Sequence, residues 1–313
     1  MTIMDCRPFL AVGVSFLAAV LISFSRKYPN VRESWSVIAS FIKFGLILSM
    51  VPGVLAGVNY EWTLFQITDT VGLTLRADSA GILFACLASM LWIPINFYSI
   101  GYMRCNNEHE QTGYFAAFAI CMSSVMGIAM ASNLLTFFFF YELLTIASYP
   151  LVLHKRNEEA LLASRKYLIY TLISGQLFLA GLVAVYCISG TMDFKAGGFL
   201  TTEMAPTWQL QLIFLIMILA GSVKAAVMPL HGWLPAAMIA PTPVSALLHA
   251  VAVVKTGVFA VLRIIGFVFG PKLLADIGTA DILAWFAAGS IIISSLIAIQ
   301  QDNLKRRLAF STI

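Results

Sequence analysis

The protein is a chain of 313 residues, of which 60% are hydrophobic and 11% are charged, and its formal net charge is +4. Soluble domains carry about 25% charged residues, so this composition excludes an ordinary water-soluble domain and predicts a membrane protein. The weak and scattered positive charge also argues against nucleic-acid binding.

Nine apolar segments are long enough to cross a bilayer as helices. A transmembrane helix needs about 20 predominantly apolar residues, and the predicted spans are 8–24, 35–57, 79–103, 112–132, 134–153, 167–189, 208–229, 243–265 and 280–300. The predicted fold class is therefore an all-α polytopic membrane protein. A small external β-hairpin is predicted between Tyr60 and Arg76, where aromatic or β-branched residues alternate with polar ones around Thr70.

The distribution of basic residues predicts how the chain is oriented. Lysine and arginine concentrate in cytoplasmic loops. Placing the N-terminus outside puts eleven of the 19 basic residues on the cytoplasmic side, four outside and four within spans. This bias predicts that the N-terminus lies outside, and the chain is expected to be a multi-pass protein of the cell (inner) membrane. The eleven cytoplasmic residues are Arg26, Lys27, Arg32, Arg104, Lys155, Arg156, Arg165, Lys166, Lys305, Arg306 and Arg307.

The sequence predicts neither a cofactor nor a metal site. Its five cysteines show no CxxC or other metal-ligand spacing, and four of the five lie in or beside apolar runs, so they are expected to pack as small hydrophobic residues. No glycine-rich phosphate-binding loop is present in the sequence. His109 and His154 lie among loop charges and are predicted to have no special role.

Glu142 is the one acidic residue that falls within a predicted span, away from its ends. An ionisable side chain in mid-membrane costs a few kcal/mol even on lenient insertion scales, and such residues commonly mark ion pathways. A functional role is therefore predicted for Glu142. The alternative is a carboxylate that only joins two helices through one ion pair.

Lys224 lies close to a predicted break in the seventh span. Pro229, Pro235, Pro241 and Pro243 fall within fifteen residues, and a proline inside a helix removes one hydrogen bond and clashes with the carbonyl four residues earlier. Broken helices at membrane depth are tolerated only against protein or a water-filled cavity. Lys224 is therefore expected where water can reach it.

The eighth span adds His249 and Lys255 as candidates. On a regular helix their side chains would lie about 120° apart and about 9 Å along the axis, where they could line two sides of a water chain. A functional role is favoured for Lys255 because it lies deep in the span. His249 fits either such a role or a hydrogen bond to a neighbouring helix.

Four other residues of the spans receive simpler interpretations. Lys43 and Arg263 lie nearer span ends, so their charged groups are expected to snorkel towards the membrane surface. His231 and Trp233 stand at the break in the seventh span. They are predicted either to shape its cytoplasmic entrance or to be interfacial residues without a role.

Glu142, Lys224 and Lys255 together suit a proton relay, with His249 as a fourth candidate. Burial disfavours the charged form of a lysine, whereas a nearby carboxylate favours it. Motion of Glu142 relative to Lys224 would thus switch that amine between holding and releasing its proton. Lys255, a second cationic site, would receive the proton through water. The hypothesis is that H⁺ moves from group to group, and that the distances between these charged groups control each step.

Residues 224–263, KAAVMPLHGWLPAAMIAPTPVSALLHAVAVVKTGVFAVLR, resemble the signature of the antiporter-like proton-conducting subunits. This family spans respiratory complex I, the multisubunit Mrp sodium/proton antiporters and membrane-bound hydrogenases. The stretches YSIGYM (98–103) and DNLKRRLAFSTI (302–313) resemble it as well.

The resemblance implies roles for the candidate residues. Glu142 would correspond to the family's fifth-helix glutamate and Lys224 to its broken-helix lysine. His249 and Lys255 would match ionisable positions of the eighth helix that differ between branches. A chain that carries both is most similar to the large subunits of Mrp antiporters and to the hydrogenase-like branch.

The resemblance also implies a division of the chain. Family members fold as about fourteen helices with two inverted five-helix repeats. The expected parts here are an N-terminal three-helix region with the hairpin (1–110), the first repeat (111–270) and the start of a second repeat (271–313). The chain stops where the tenth helix of the family would begin, so either it is a fragment, which is the favoured expectation, or its other half comes from another polypeptide.

The favoured function is a proton-translocating subunit of a multisubunit complex, as in NADH-quinone oxidoreductase or a Mrp-type cation/proton antiporter. Its expected partners are other membrane subunits, and its expected cargo is protons, with or without sodium. Any NADH-quinone oxidoreductase activity would belong to the whole complex, because this sequence has no flavin, nucleotide or cluster motif. The alternative is a membrane scaffold whose buried charges only fix helix packing.

Overall fold

The computed structural model describes residues 2–68 and 71–313. Within these ranges, nine helices are long and apolar enough to cross a membrane, which confirms the all-α polytopic fold predicted from the apolar segments. The described residues form two compact units, Met1–Lys155 with Ala240–Ala252, and Arg156–Ile239 with Val253–Ile313. These are called the first unit and the second unit.

The first unit contains a small sheet and the first five spans. Its strands are β1 (Thr2–Met4), β2 (Asn59–Gln66) and β3 (Gly72–Ala77). Its helices are α1 (Arg7–Phe24), α2 (Pro29–Leu55), α3 (Ser79–Cys105), α4 (Gln111–Ala129), α5 (Leu134–Val152) and the short α9 (Thr242–Ala246), which continues in a π-helical turn at Leu247–Val251.

The sheet confirms the predicted hairpin and adds one strand to it. β2 and β3 pair antiparallel from Tyr60 opposite Ala77 to Gln66 opposite Gly72. The centre of the turn that the alternation predicts, at Thr70, lies outside the described residues. β1 pairs parallel to β2, and no periodic signal predicts it because the strand has only three residues.

Helix α4 is the best-buried span of the first unit, and it packs against α1, α3 and α5. A side chain at Gly127 of α4 would overlap the ring of Phe140 on α5, so glycine permits this close approach. The start of α5 is set by Asn133, whose side chain accepts a hydrogen bond from the Thr136 amide at 2.7 Å. These contacts position the helix that carries Glu142.

The second unit is built around the seventh span, since α7 packs against both α6 and α10. Its helices are α6 (Glu158–Ser189), α7 (Thr207–Ala225), α8 (Trp233–Ala236), α10 (Val253–Arg263), α11 (Pro271–Asp276), α12 (Ala280–Ile299) and α13 (Leu304–Thr312). A second π-helical turn, at Ile264–Phe269, follows α10.

Helix α6 begins at Glu158 rather than at residue 167, where the predicted span starts. Hydropathy misses this start because the first turns carry charged residues, and Asn157 caps the helix by accepting from the Ala160 amide at 2.8 Å. The division into parts 1–110, 111–270 and 271–313 stays a prediction, because compactness within a chain does not report on internal repeats.

Candidate functional site

The seventh span breaks directly after Lys224, as the prolines predict. Helix α7 ends at Ala225, and Ala226 adopts a left-handed conformation with φ of 59°. Short 3₁₀ and α-helical turns then carry the chain to Ile239. Lys224 itself is 0% exposed, so its amine lies inside the protein at the end of the helix.

The backbone groups at the end of α7 find partners within the second unit. The Val227 amide donates to the Ser222 carbonyl at 2.9 Å, and the indole Nε1 of Trp233 donates to the Val223 carbonyl at 2.7 Å. Helix ends leave carbonyls without their regular intrahelical partners. The Val223 carbonyl accepts from the Ala226 amide at 3.1 Å, and the fully buried Trp233 adds a second donor from ten residues later. Trp233 is therefore a structural cap of α7 and not an interfacial residue without a role.

The break is also tied to the ninth span. The Met228 amide donates to the Ser290 hydroxyl of α12 at 3.0 Å. An apolar cavity lies beside this contact, lined by residues of α7, of the break and of α12, among them Ser222, Pro229 and Phe286. The segment after Lys224 is thus held by side chains of its own unit rather than by a continuous helix.

Helices α7 and α10 approach each other closely at two glycines, one on each helix, that face the other helix. A Cβ on Gly221 of α7 would lie 2.9 Å from the side chain of Val261, and Gly257 of α10 contacts the backbone at the end of α7. Small residues allow such close packing between membrane helices. The second unit therefore brings the helices of Lys224 and Lys255 together.

Lys255 lies on an exposed face of α10. The apolar side chains of Val258 and Leu262 share this face, so the described residues leave a strip of α10 uncovered. The position of Lys255 near the middle of the predicted eighth span correctly indicates that it does not lie at a span end. The sequence carries no signal that its side chain points away from the packed side of the helix.

The eighth span is not the regular helix on which the expected spacing of His249 and Lys255 rests. His249 lies in the π-helical turn Leu247–Val251, which the bond from the Ala252 amide to the Leu247 carbonyl closes at 2.8 Å. Ala252 then leaves helical geometry, with φ of −100° and ψ of −95°. The expected angle of about 120° assumes 3.6 residues per turn, and the turn from Leu247 to Ala252 does not meet that assumption. His249 belongs to the first unit and Lys255 to the second.

Glu142 lies on α5 in the first unit and is half-buried. Its neighbours Tyr141 and Leu144 are fully buried, whereas Ile146 is exposed, so Glu142 lies at the edge of the packed face of α5, with its carboxylate Oε1 atom buried. The membership of Glu142, Lys224, His249 and Lys255 in one relay stays a prediction.

The expectation that Lys43 snorkels is wrong. Its side chain is 0% exposed, with Nζ 4.4 Å from the centroid of the Trp92 ring and donating to the Met122 carbonyl at 3.1 Å. An aromatic face and a carbonyl oxygen both attract an ammonium group. Residues of α3 and α4 thus hold inside the first unit an amine that was expected to reach the membrane surface.

Arg263 also departs from the predicted snorkelling. It is 1% exposed, and its guanidinium carbon lies 5.1, 4.9 and 4.6 Å from the ring centroids of Phe194, Phe259 and Phe267. A weakly hydrated, planar guanidinium stacks well on aromatic rings. The sequence shows these rings only as apolar residues, so their convergence on Arg263 depends on the fold.

Comparisons with known proteins agree with this architecture. One subunit of the Na(+)/H(+) antiporter of Alkalihalophilus pseudofirmus is 30% identical over 95% of this chain and 37% of that protein. The NAD(P)H-quinone oxidoreductase subunit 5 of the chloroplast of Mesostigma viride is 30% identical over 98% of this chain and 48% of that protein. The chain thus spans less than half the length of these curated relatives.

Among solved structures, a chain of the membrane-bound sulfane sulfur reductase, an archaeal respiratory membrane complex, shares the fold. Its TM-score is 0.87 at 21% identity, over 99% of this chain and 63% of that chain. The family model described as "NADH:quinone oxidoreductase/Mrp antiporter, TM" matches residues 131–313. The match covers more than half of the chain and includes Glu142, Lys224, His249 and Lys255. The chain therefore belongs to the NADH:quinone oxidoreductase/Mrp antiporter transmembrane family.

Proposed function

We propose that this chain is a proton-translocating subunit of a multisubunit membrane complex, in which Glu142, Lys224, His249 and Lys255 relay H⁺. The observation that carries the proposal is the complete burial of Lys224 in the last turn of α7, immediately before the helix break. Burying an ionisable amine at membrane depth costs free energy, and Lys224, unlike the equally buried Lys43, lies in the last turn before a helix break. A role of Lys224 in a proton pathway would explain why the protein keeps this buried amine.

The chemistry of the four groups supports a relay. A buried lysine releases its proton more readily than an exposed one, and a nearby carboxylate opposes that release. Imidazole can accept and donate a proton near neutral pH. Changes in the spacing between Glu142 and Lys224 would then decide when the Lys224 amine holds its proton.

The outward face of α10 supports a role within a larger assembly. An ammonium group that faced acyl chains beside Val258 and Leu262 would cost a few kcal/mol. We infer that a helix of the complete assembly covers this face and continues the pathway from Lys255. The names of the relatives, which are subunits of an antiporter and of a quinone oxidoreductase, are consistent with such partners.

We further propose that the chain takes part in the exchange of protons for sodium ions. It is supported by the name of the 30%-identical relative from a Na(+)/H(+) antiporter, whereas the similarity to a quinone oxidoreductase subunit favours coupling to a redox reaction. Flux measured with and without a sodium gradient separates the two. A proton flux that a sodium gradient drives favours antiport.

The test is proton flux in vesicles that contain the complete complex. Glu142→Gln and Lys224→Ala each remove one relay group, and we expect flux to fall by about 10²-fold or more, the range lost with a proton-transfer group. Lys272→Ala is the matched control, because it removes an exposed lysine at the start of α11. We expect the control to retain its flux.

Assembly of the complex is measured on the same membranes. A conductor stays assembled and loses flux when Lys224 or Glu142 is replaced, whereas a scaffold loses assembly. Normal assembly with unchanged flux in both Glu142→Gln and Lys224→Ala would reject the proposed relay.

A further inference from the structure

Three side chains that coordinate metals in other proteins meet at one end of the first unit. Glu108 and His109 lie in the connection between α3 and α4, and His154 lies just beyond the end of α5. One ligand atom from each residue lies within 4.8 Å of the other two. Sequence spacing does not predict this cluster, because His154 is 45 residues from His109.

The local structure holds His154 and Glu108 in place. His154 is 7% exposed, and the ring of Tyr114 packs edge-on against its imidazole at 5.6 Å between centroids. The Nε2 atom of His154 lies 3.5 Å from a carboxylate oxygen of Glu108. The Glu108 amide donates to the Met103 carbonyl at 3.1 Å, so the backbone that carries the carboxylate is anchored to the end of α3.

The second histidine is oriented by a hydrogen bond. Nε2 of His109 lies 2.7 Å from the main-chain carbonyl of His154. A carbonyl can only accept, so this nitrogen carries the proton and Nδ1 of His109 keeps its lone pair. The two imidazole rings stack at 4.8 Å with 15° between their planes.

The backbone on both sides of Glu108 and His109 is unusual. Asn107 and Glu110 have φ angles of 47° and 48°, in the left-handed region that residues other than glycine seldom adopt. Backbone held in this region is strained, and such residues cluster at functional sites. It presents Glu108 and His109 together towards His154.

We propose that Glu108, His109 and His154 bind a divalent transition-metal cation such as Zn²⁺. Two imidazole nitrogens and one carboxylate oxygen form a ligand set that zinc uses when one coordination position stays open. Ligand atoms around a tetrahedral zinc lie about 3.3 Å apart, given bonds of about 2.0–2.1 Å. His154 Nε2 and the Glu108 carboxylate oxygen, 3.5 Å apart, already have nearly this spacing. The other ligand distances, which reach at most 4.8 Å, have to shorten by up to about 1.5 Å. Rotation of the exposed His109 side chain would shorten them and would break its hydrogen bond to the His154 carbonyl.

An ion pair alone explains less of the cluster. It accounts for Glu108 beside His154, but it does not account for a second imidazole stacked on the first. Two imidazolium rings at this distance would repel each other, whereas a metal ion binds both in their neutral form. A bound cation would tie the α3–α4 connection to the end of α5. The inference does not depend on proton conduction.

The test is zinc binding to the purified 313-residue chain in detergent, prepared without a histidine tag and stripped with a chelator. Isothermal titration with ZnCl₂ compares the wild-type protein with Glu108→Gln and His109→Gln. Because loss of even an outer-shell partner of a metal site costs about 10–100-fold in affinity, we expect each variant to bind at least about tenfold more weakly. Glu110→Gln, in the same connection, is the matched control and should bind like the wild type.

Two further measurements keep the result interpretable. Circular dichroism and size-exclusion chromatography confirm that the variants fold, and replacing the exposed His109 spares the buried His154. The Co²⁺-loaded protein should show no thiolate-to-cobalt charge-transfer band, since the cluster consists of Glu108, His109 and His154 and contains no cysteine. Wild-type affinity in both variants, or a thiolate band that accounts for all bound cobalt, would overturn the proposal.

Discussion

Gly257 of α10 packs directly on the peptide group that follows Lys224: a Cβ at position 257 would lie 2.5 Å from the Lys224 carbonyl carbon. No real Cβ comes so close to backbone, so the contact exists only because residue 257 is glycine. It sets the distance between α10 and the turn of α7 that carries the buried amine.

Gly257→Ala should therefore displace α10 from α7. We expect destabilisation of about 1–3 kcal/mol, the usual cost of overpacking a close interface, together with reduced proton flux because Lys224 and its surroundings shift. Thermal unfolding in detergent and flux in vesicles measure the two effects. Gly266→Ala is the control, since a Cβ at position 266 would meet nothing within 4 Å. Equal behaviour of the two variants would contradict the assigned contact.

Trp233→Phe tests the cap at the end of α7. The substitution keeps an aromatic ring against Tyr167, whose ring centroid lies 5.3 Å from that of Trp233, but it removes the donor to the Val223 carbonyl. The Val223 carbonyl keeps its hydrogen bond from the Ala226 amide at 3.1 Å, so the variant loses one hydrogen bond, worth about 0.5–1.5 kcal/mol, and the melting temperature should fall. Hydrogen exchange of the Ala226 and Val227 amides should become faster. The exposed Trp208 at the start of α7 supplies the control, Trp208→Phe, which should leave both measurements unchanged.

Lys43 provides a test of buried charge that is independent of the relay. Lys43→Met keeps most of the side-chain volume and removes a charge held by one carbonyl and one aromatic ring, and such replacements are often neutral or stabilising. Lys43→Ala should instead leave a cavity and destabilise by about 2–5 kcal/mol. Thermal unfolding compares the two. If Lys43→Met destabilised the protein as much as Lys43→Ala, the ammonium group itself would be needed.

Asp5 allows a prediction about pH at the edge of the sheet. Hydrogen bonds from Arg7 lower the pKa of the Asp5 carboxyl below its ordinary value of 3.8. A lowered folded-state pKa means that this pair stabilises the fold above the ordinary pKa and loses its effect as pH falls through the lower folded value. The Asp5 amide, which donates to the Glu61 carbonyl at 3.0 Å, should keep its hydrogen-exchange protection down to about pH 4.

Asp5→Asn supplies the comparison for that experiment. It removes the charge that Arg7 contacts, so the amide of residue 5 should already exchange faster at neutral pH, after correction for the intrinsic rate. A variant with unchanged protection would show that strand pairing alone holds this edge.

Most of the fold follows from local sequence patterns. Long apolar runs predict the nine spans because bilayer thickness alone fixes their length. The prolines after Lys224 predict the break because they cannot continue a helix. The alternation in β2 and β3 predicts the hairpin. The ionisable residues within the spans stand out as candidates for the same reason, since a charge in lipid is costly wherever it lies.

The tertiary structure alone decides what surrounds each charge. Lys43 and Arg263 look like snorkelling residues until distant aromatic rings converge on them. Lys255 faces outward, and Trp233 caps α7. These outcomes depend on contacts between residues far apart in sequence, whose partners look like any other apolar residue until the helices pack. Hydropathy reports how much a side chain avoids water, whereas the fold determines which atoms replace that water.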